Sequence, residues 1–256
     1  MKRDELDNIA EKLREVAREA GELIIQIYEE GFDVEFKADE SPITRADRAS
    51  HNHVSKRLAE LFPDIPLLSE EGQHLPYEER KKWTRFFLLD PLDGTKEFVK
   101  RNDDFCVNIA LLEGETPVLG VIHIPTRKLD YWGGPNLGAY RSAANGKKEK
   151  ITTHGPGAGG AIALASRSHP SPATEQYCKE RGIARTLNVG SAIKFCMVAE
   201  GAAQYYPRFN ITWEWDTAAG HALVQGAGGS FTDLKGAAFG YNKPKLDNGG
   251  FLCCWK

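Results

Sequence analysis

Apolar residues recur at Leu6, Ile9, Leu13, Val16, Ala20, Leu23, Ile24 and Ile27. Steps of three and four residues put them on one face, so the spacing predicts a long amphipathic helix over 4–30. Gly31 stands where a helix stop belongs. A short extended piece, Val34 to Lys37, comes next. Thr44 and Asp47 have the spacing of a capping box, in which the two side chains cap each other's backbone N–H groups. A second helix is therefore expected from about Ala46 to Phe62, with Val54, Leu58 and Leu61 facing inward. Pro63 and Pro66 end it.

The pattern then changes. Arg85–Asp90, Phe105–Glu113, Pro117–Ile124, Leu129–Trp132 and Gly138–Arg141 read as strands. Gly, Pro and Asn punctuate them at Gly114, Pro125, Gly133-Gly134-Pro135-Asn136 and Gly146. Connections this short imply an antiparallel sheet. The turn-rich Gly155-Pro156-Gly157-Ala158-Gly159-Gly160 marks an expected boundary between an N-terminal domain, 1–154, and a C-terminal domain, 155–256. Beyond it strands at 161–165, 186–189, 204–206, 230–232 and 250–254 are interleaved with helices at 173–181, 191–200 and 217–225. That alternation argues for an α/β layer.

Composition narrows the partners. The chain has 256 residues, 41% hydrophobic and 27% charged, enough for a real core. Its net charge is -3 and no basic stripe appears, so a nucleic-acid polymer is not an expected partner. The five cysteines, Cys106, Cys178, Cys196, Cys253 and Cys254, lack CxxC spacing and read as reduced thiols of a cytoplasmic protein. No stretch has the length and apolarity of a membrane span, and the N-terminus has no apolar leader. Integral membrane contact is not expected, which leaves peripheral association open.

The chemistry concentrates in three acidic segments. Phe86-Phe87-Leu88-Leu89-Asp90-Pro91-Leu92-Asp93-Gly94-Thr95 ends an apolar strand on a carboxylate, then turns. Pro91 disfavours helix at Asp90, Asp93-Gly94 signals a turn, and Thr95 is placed to cap a short helix. Two carboxylates and a carbonyl near one point suit a hard divalent cation. Backbone N–H groups at Gly94 and Thr95 suit a phosphate. Leu68-Ser69-Glu70-Glu71 again ends an apolar piece on acids. Trp215-Asp216-Thr217-Ala218-Ala219-Gly220 places Asp216 before a helix, where alone it reads as an N-cap. Three such segments together are better explained by a shared cation site.

Asp90-Pro91-Leu92-Asp93-Gly94-Thr95 and Trp215-Asp216-Thr217-Ala218-Ala219-Gly220 resemble the two signatures of the inositol-monophosphatase superfamily. Leu68-Ser69-Glu70-Glu71 and Ile43-Thr44-Arg45-Ala46-Asp47 resemble its upstream motifs. Thr95-Lys96-Glu97-Phe98-Val99-Lys100-Arg101, Ser166-Arg167-Ser168-His169, Gly190-Ser191-Ala192-Ile193-Lys194-Phe195-Cys196 and Tyr206-Pro207-Arg208 are similar to the 3′(2′),5′-bisphosphate nucleotidases within it. The resemblance implies a layered αβαβα, sugar-phosphatase-like fold, with an N-terminal α+β part built on an antiparallel sheet and a C-terminal α/β part.

It also implies a mechanism. Glu70, Asp90 and the Leu92 carbonyl would bind one Mg2+; Asp90, Asp93 and Asp216 a second; a third, weaker ion would sit near Glu70, with Glu71 solvated or behind it. Metal-activated water would attack directly, Asp47 and Thr95 orienting or deprotonating it, and Glu70 belongs to the catalytic set. Gly94, Thr95, Ser191, Lys194, Arg208, Arg167, His169 and Asp216 would contact substrate. The implied reaction removes the 3′-phosphate of adenosine 3′,5′-bisphosphate, and of its phosphosulfate analogue, with lithium competing at one metal position. An inositol or other sugar phosphatase is the alternative within the family; a non-catalytic nucleotide sensor is the alternative outside enzymes. The small nucleotide is the implied partner, and the sequence leaves monomer and homodimer both open.

Overall fold

The computed structural model describes residues 1–37, 42–143, 146–168 and 171–256. In chain order these form Arg3–Glu30 (α1), Val34–Phe36 (β1), Pro42–Thr44 (β2), Arg45–Leu61 (α2), Leu67–Ser69 (β3), Tyr77–Arg80 (α3), Arg85–Asp93 (β4) and Thr95–Val99 (α4). Then come Cys106–Glu113 (β5), Thr116–Ile124 (β6), Leu129–Gly134 (β7), Gly138–Ala143 (β8), Glu149–Ile151 (β9) and Ile162–Ser166 (β10). The chain closes with Pro172–Glu180 (α5), Arg185–Val189 (β11), Ile193–Ala199 (α6), Tyr205–Arg208 (β12), Thr212–Trp213 (β13), Glu214–Gly226 (α7), Ser230–Asp233 (β14), Asp247–Asn248 (β15) and Phe251–Cys254 (β16).

Helix α1 buries the stripe its spacing requires, from Leu6 and Ile9 through Ile24. At the start of α2 the capping box is formed: Thr44 Oγ1 accepts from Ala46 N at 3.1 Å, and Asp47 Oδ2 accepts from Thr44 N at 2.7 Å. Both helices pack on one face of a seven-stranded sheet ordered β3-β4-β5-β6-β7-β8-β9. Phe87, Leu89, Ile109 and Leu111 meet them there. The sheet is antiparallel except that β3 joins β4 in parallel, because a loop and α3 separate the two in sequence. The opposite face presents Phe86, Leu88, Ala110 and Leu112 to α6 and α7.

A second sheet, ordered β11-β10-β12-β16-β14, closes over the other side of those helices. Tyr206, Phe231, Phe251 and Cys253 enter the same core cluster. Strands β10, β11 and β12 are parallel neighbours, while β16 runs antiparallel to β12 and β14. Helix α5 packs outside, on β12. The layers are thus helix, sheet, helix, sheet, helix, as the resemblance implies. The 155–160 stretch lies between the last strand of the first sheet and the first of the second. No helix among the described residues is long and apolar enough to cross a membrane.

Several boundaries differ from the pattern-based expectation. Helix α6 begins at Ile193 rather than at Ser191, because Ser191 has φ +47° and cannot belong to a right-handed helix. Helix α7 begins at Glu214 rather than Thr217. Asp216 is therefore inside its first turn, accepting from Trp213 N at 2.7 Å, and is not the N-cap. Likewise Thr95 is the first residue of α4, with Gly94 in the cap position at φ +95°; Thr95 caps nothing.

Strand β6 and helix α7 approach with no room for a side chain between them. A Cβ built on Gly120 would lie 2.1 Å from the Ala219 carbonyl oxygen. Gly120→Ala must push α7 off the sheet, and is expected to cost about 1–3 kcal/mol, as overpacking does. Urea denaturation at unchanged m-value measures it; a variant as stable as the wild type would show that this contact does not set the helix position.

Candidate active site

Asp90 and Asp93 are three residues apart on β4, so regular pleating would send them to opposite faces. The register prevents this. Asp90 pairs with Asn108 and Asp93 with Cys106, three steps on one strand against two on the other. The extra residue is a β-bulge at Pro91-Leu92, where proline's missing N–H costs no ladder bond. Both carboxylates then point to the α6–α7 side, where the even-numbered residues of β4 and β5 face the second sheet.

Four carboxylates meet in one cavity of about 310 Å³, whose walls include Glu70, Asp90, Asp93 and Asp216. Each also has its own donor. Asp90 Oδ1 accepts from Leu92 N at 3.1 Å. Asp93 Oδ2 accepts from Ala192 N at 2.6 Å and Asn108 Nδ2 at 3.0 Å. Glu70 Oε1 accepts from Lys37 Nζ at 2.7 Å. Among the described residues no three acidic, histidine or cysteine side chains converge tightly enough to hold an ion as they stand. The cluster is nonetheless electrostatically one unit. Burial, then repulsion from Glu70, Asp93 and Asp216, pushes Asp90 well above the usual carboxylate range. Burial and then Asp93 and Glu70 do the same to Asp216. Burial raises Asp93 too, with Lys194 opposing. Glu70 is pushed up to about 7 by burial, against the pull of Lys37. An all-oxygen donor set carrying this much repelled charge fits a hard divalent cation, which supplies the missing positive charge.

At the cavity wall Thr95 Oγ1 donates toward Asp47 Oδ1 at 2.9 Å and the Leu92 carbonyl at 3.1 Å. The two oxygens of Asp47 divide their bonds, Oδ1 accepting from Thr95 while Oδ2 serves the α2 cap. Burial raises its pKa, with the Thr44 and Thr95 bonds opposing. Gly94 is required where it stands: besides its positive φ, a Cβ would lie 2.9 Å from the Asp104 carbonyl.

The expected substrate contacts divide. Ser191, Lys194 and Arg208 line the same cavity. Lys194 is buried and donates to the Ser191 carbonyl at 2.6 Å and the Val189 carbonyl at 3.1 Å. Burial lowers it to about 8, with Asp93 opposing. Arg208 Nε is buried without a hydrogen-bond partner among the described residues. Arg167 does not reach this cavity; its Nη2 is paired with Asp104 Oδ2 at 2.6 Å, and it lines a neighbouring cavity. His169 lies outside the described residues. Of the two places expected for Glu71, in solvent or behind Glu70, its 9% exposed side chain, which shares the Lys37 ammonium with Glu70, fits the second.

Lys37 escaped the sequence reading. A single lysine after a three-residue strand carries no motif, and only the β1–β2 hairpin brings it to the acids. Burial opposes its charge, yet the two glutamates hold its pKa above the ordinary lysine value. Trp213 lines the cavity and is 42% exposed, stacked on the buried Trp215 with ring centroids 5.5 Å apart.

Known proteins share this architecture. The profile of the inositol monophosphatase family matches residues 5–253. The chain is 41% identical over 244 residues to the 3′(2′),5′-bisphosphate nucleotidase CysQ of Salmonella typhimurium (strain LT2), covering 94% of this chain and 97% of that protein. It is 42% identical over 240 residues to the CysQ of Escherichia coli (strain K12), covering 93% and 96%. The crystal structure of CysQ from Bacteroides thetaiotaomicron, a bacterial member of the same family, superposes with a TM-score of 0.84 at 38% identity over 97% of both chains. A Thermotoga maritima IMPase, at 23% identity, shares the fold with a TM-score of 0.79, over 98% of this chain and 92% of that one.

The repulsion within the cluster has a thermodynamic signature. Asp90 has a folded pKa above its unfolded value, so it costs nothing in acid, where both states are protonated. As pH rises past the ordinary carboxylate range the unfolded chain ionises first, and stability falls. Asp90→Asn removes that loss. In chelator at about pH 7.5 the variant is expected to be more stable than the wild type by about 1 kcal/mol or more, the gap closing near about pH 3.5. Denaturant titrations at the two pH values measure this; a gap independent of pH would contradict it.

Proposed function

This chain belongs to the inositol monophosphatase family, and from that premise we propose that it is a magnesium-dependent 3′(2′),5′-bisphosphate nucleotidase, releasing the 3′-phosphate of adenosine 3′,5′-bisphosphate. The observation that carries the reading is one cavity lined both by four carboxylates and by two cations, Lys194 and Arg208. A substrate with a single phosphate needs only the metal-binding carboxylates. A second phosphate needs a cation of the protein's own, and Arg208 offers a buried Nε donor with no hydrogen-bond partner among the described residues. The CysQ relatives at 41–42% identity are named for that substrate class.

Glu70, Asp90, the Leu92 carbonyl, Asp93 and Asp216 are the proposed holders of two to three Mg2+ ions. Bound there, magnesium neutralises substrate and carboxylate charge and makes water a better nucleophile. The protein's own part is positional. With its proton directed to Asp47, the Thr95 hydroxyl keeps lone pairs free to accept from a water in the cavity, and Asp47 can take the proton through it. Burial raises the proton affinity of the Asp47 carboxylate, which makes it the stronger acceptor. The backbone N–H groups of Gly94 and Thr95 are the proposed donors to phosphoryl oxygens. Lys194, clamped by two carbonyls, sets the charge beside Asp93 more than it reaches for substrate.

Phosphate release from adenosine 3′,5′-bisphosphate, inositol monophosphate and fructose bisphosphate is to be measured side by side, with magnesium and with chelator. The nucleotide is expected to turn over fastest and only with the metal. Equal or better turnover of inositol monophosphate would overturn the substrate assignment. Asp93→Asn is expected to lower kcat/KM by about 100-fold or more while the fold survives.

A further inference from the structure

Asp216 joins the acidic cluster from the first turn of α7, and a run of buried hydrogen bonds stands behind it. Its Oδ2 accepts from Trp213 N at 2.7 Å, which leaves Oδ1 for a cation. Trp213 immediately precedes α7, and its indole has no oxygen with which to cap the helix. The backbone there is held from elsewhere. Asn248 Nδ2 donates to the Trp213 carbonyl at 2.8 Å and to Thr217 Oγ1 at 3.0 Å. The residue that orients Asp216 and the residue that follows it are thus fastened to one amide group.

Backbone pairing alone would hold this corner weakly. Strands β13 and β15 have two residues each, Thr212 opposite Asn248 and Trp213 opposite Asp247, and a ribbon that short has little stability of its own. The amide is fixed from behind instead. Lys243 Nζ donates to Asn248 Oδ1 at 2.8 Å. An ammonium has only donors, so the amide oxygen must face Lys243 and the amide nitrogen must face Trp213. Lys243 Nζ also pairs with Glu214 Oε1 at 2.7 Å. Glu214 is fully buried and accepts in addition from Asn242 N at 2.7 Å and Lys243 N at 3.0 Å. Arg80 Nη1 donates to Asn242 Oδ1 at 2.7 Å and its Nε to the Leu75 carbonyl at 3.0 Å, which ties the set back to the loop after Glu70.

We propose that Asn248 is a positioning residue for magnesium: held by the Lys243–Glu214 pair, it fixes Trp213 and Thr217 on either side of Asp216 in the chain and so aims the Asp216 carboxylate at the ion it shares with Asp90 and Asp93. The inference rests on the proposed magnesium site and adds what sets its geometry. A role confined to joining β13 to β15 would need neither the bond to Thr217 nor a buried ammonium on the amide oxygen. Nor is net stability the reason for the pair, because desolvation offsets much of the attraction between buried charges. Orientation is what the arrangement supplies, and magnesium is sensitive to it. The ion demands near-octahedral oxygens at roughly 2.0–2.1 Å, so a carboxylate that turns slightly away ceases to be a ligand.

Magnesium binding to the full chain, measured by calorimetry without substrate, is the test. Asp216→Asn identifies the binding event that uses this carboxylate. Asn248→Ala is expected to weaken that same event by about tenfold or more and to leave the remaining magnesium binding unchanged. Ile9→Val trims the core on the opposite face of the first sheet; it lowers stability there and is expected to leave all magnesium binding unchanged. Lys243→Met serves if Asn248→Ala fails to fold, because Glu214 then keeps its two backbone donors; the same event is expected to weaken. A variant that binds magnesium as tightly as the wild type, or that loses every event equally, would overturn the inference and leave the metal site standing. A wild type that binds no magnesium would remove the site and the inference together.

Discussion

A single extra residue in β4 decides whether this protein has a site. Asp90 and Asp93 differ in parity, and a regular strand would bury one against α1 and α2 and turn the other to α7. The bulge at Pro91-Leu92 restores parity and brings both beside Asp216. Pro91 makes the irregularity cheap, since the residue without an N–H sits where the ladder is already broken. The turn at Gly94 follows directly and admits the close approach of the Asp104 carbonyl. The acidic cluster, the Gly94 turn and the Thr95–Asp47 pair all take their positions from this local break in pleating.

What the bulge gathers is destabilising by itself. Buried carboxylates raise one another's pKa, and the protein answers with cations at the periphery, Lys37 on the glutamates and Lys194 with Arg208 beside Asp93. None of these cations is placed to satisfy the centre: burial and repulsion still dominate at Asp90 and Asp216. The arrangement has charge in reserve for a ligand that brings positive charge of its own, and then for an anion that the completed centre attracts. Stability is given up at the site and recovered in the apolar layers on either side of the sheet.

Much of this was legible in the chain. The helical stripe of α1, the Thr44–Asp47 box and the apolar strands ending on acids are local patterns, and local patterns survive folding. The four acidic motifs could be assembled because each has a recognisable neighbourhood. What stayed hidden depends on register or on distance. Nothing in Asp90-Pro91-Leu92-Asp93 announces a bulge. The sequence starts α7 too late because Asp216 reads as an N-cap, whereas its carboxylate holds the Trp213 N–H from inside the first turn. Arg167 was read as a substrate contact because its neighbours matched a motif; Asp104, 63 residues away, had claimed it.

The seam between the two sheets explains why the site can be exact although its parts come from distant stretches of chain. Helix α7 carries Asp216 and packs against β4 through β8. The same core cluster includes Phe86 and Leu88 from the first sheet and Phe231 and Phe251 from the second. The β11–α6 connection is fastened to the first sheet's side by two carboxylates, Asp104 accepting from Gly190 N at 3.0 Å and Asp93 from Ala192 N at 2.6 Å. Between those bonds Ser191 holds its left-handed conformation, the kind of local strain that surrounding bonds must enforce. Asp93 thus serves at once in the acidic cluster and as an anchor for the loop that leads to Lys194. The two sheets share one interior at this point, so the carboxylates and the cations that line the cavity are positioned by common packing rather than by the docking of two independent cores.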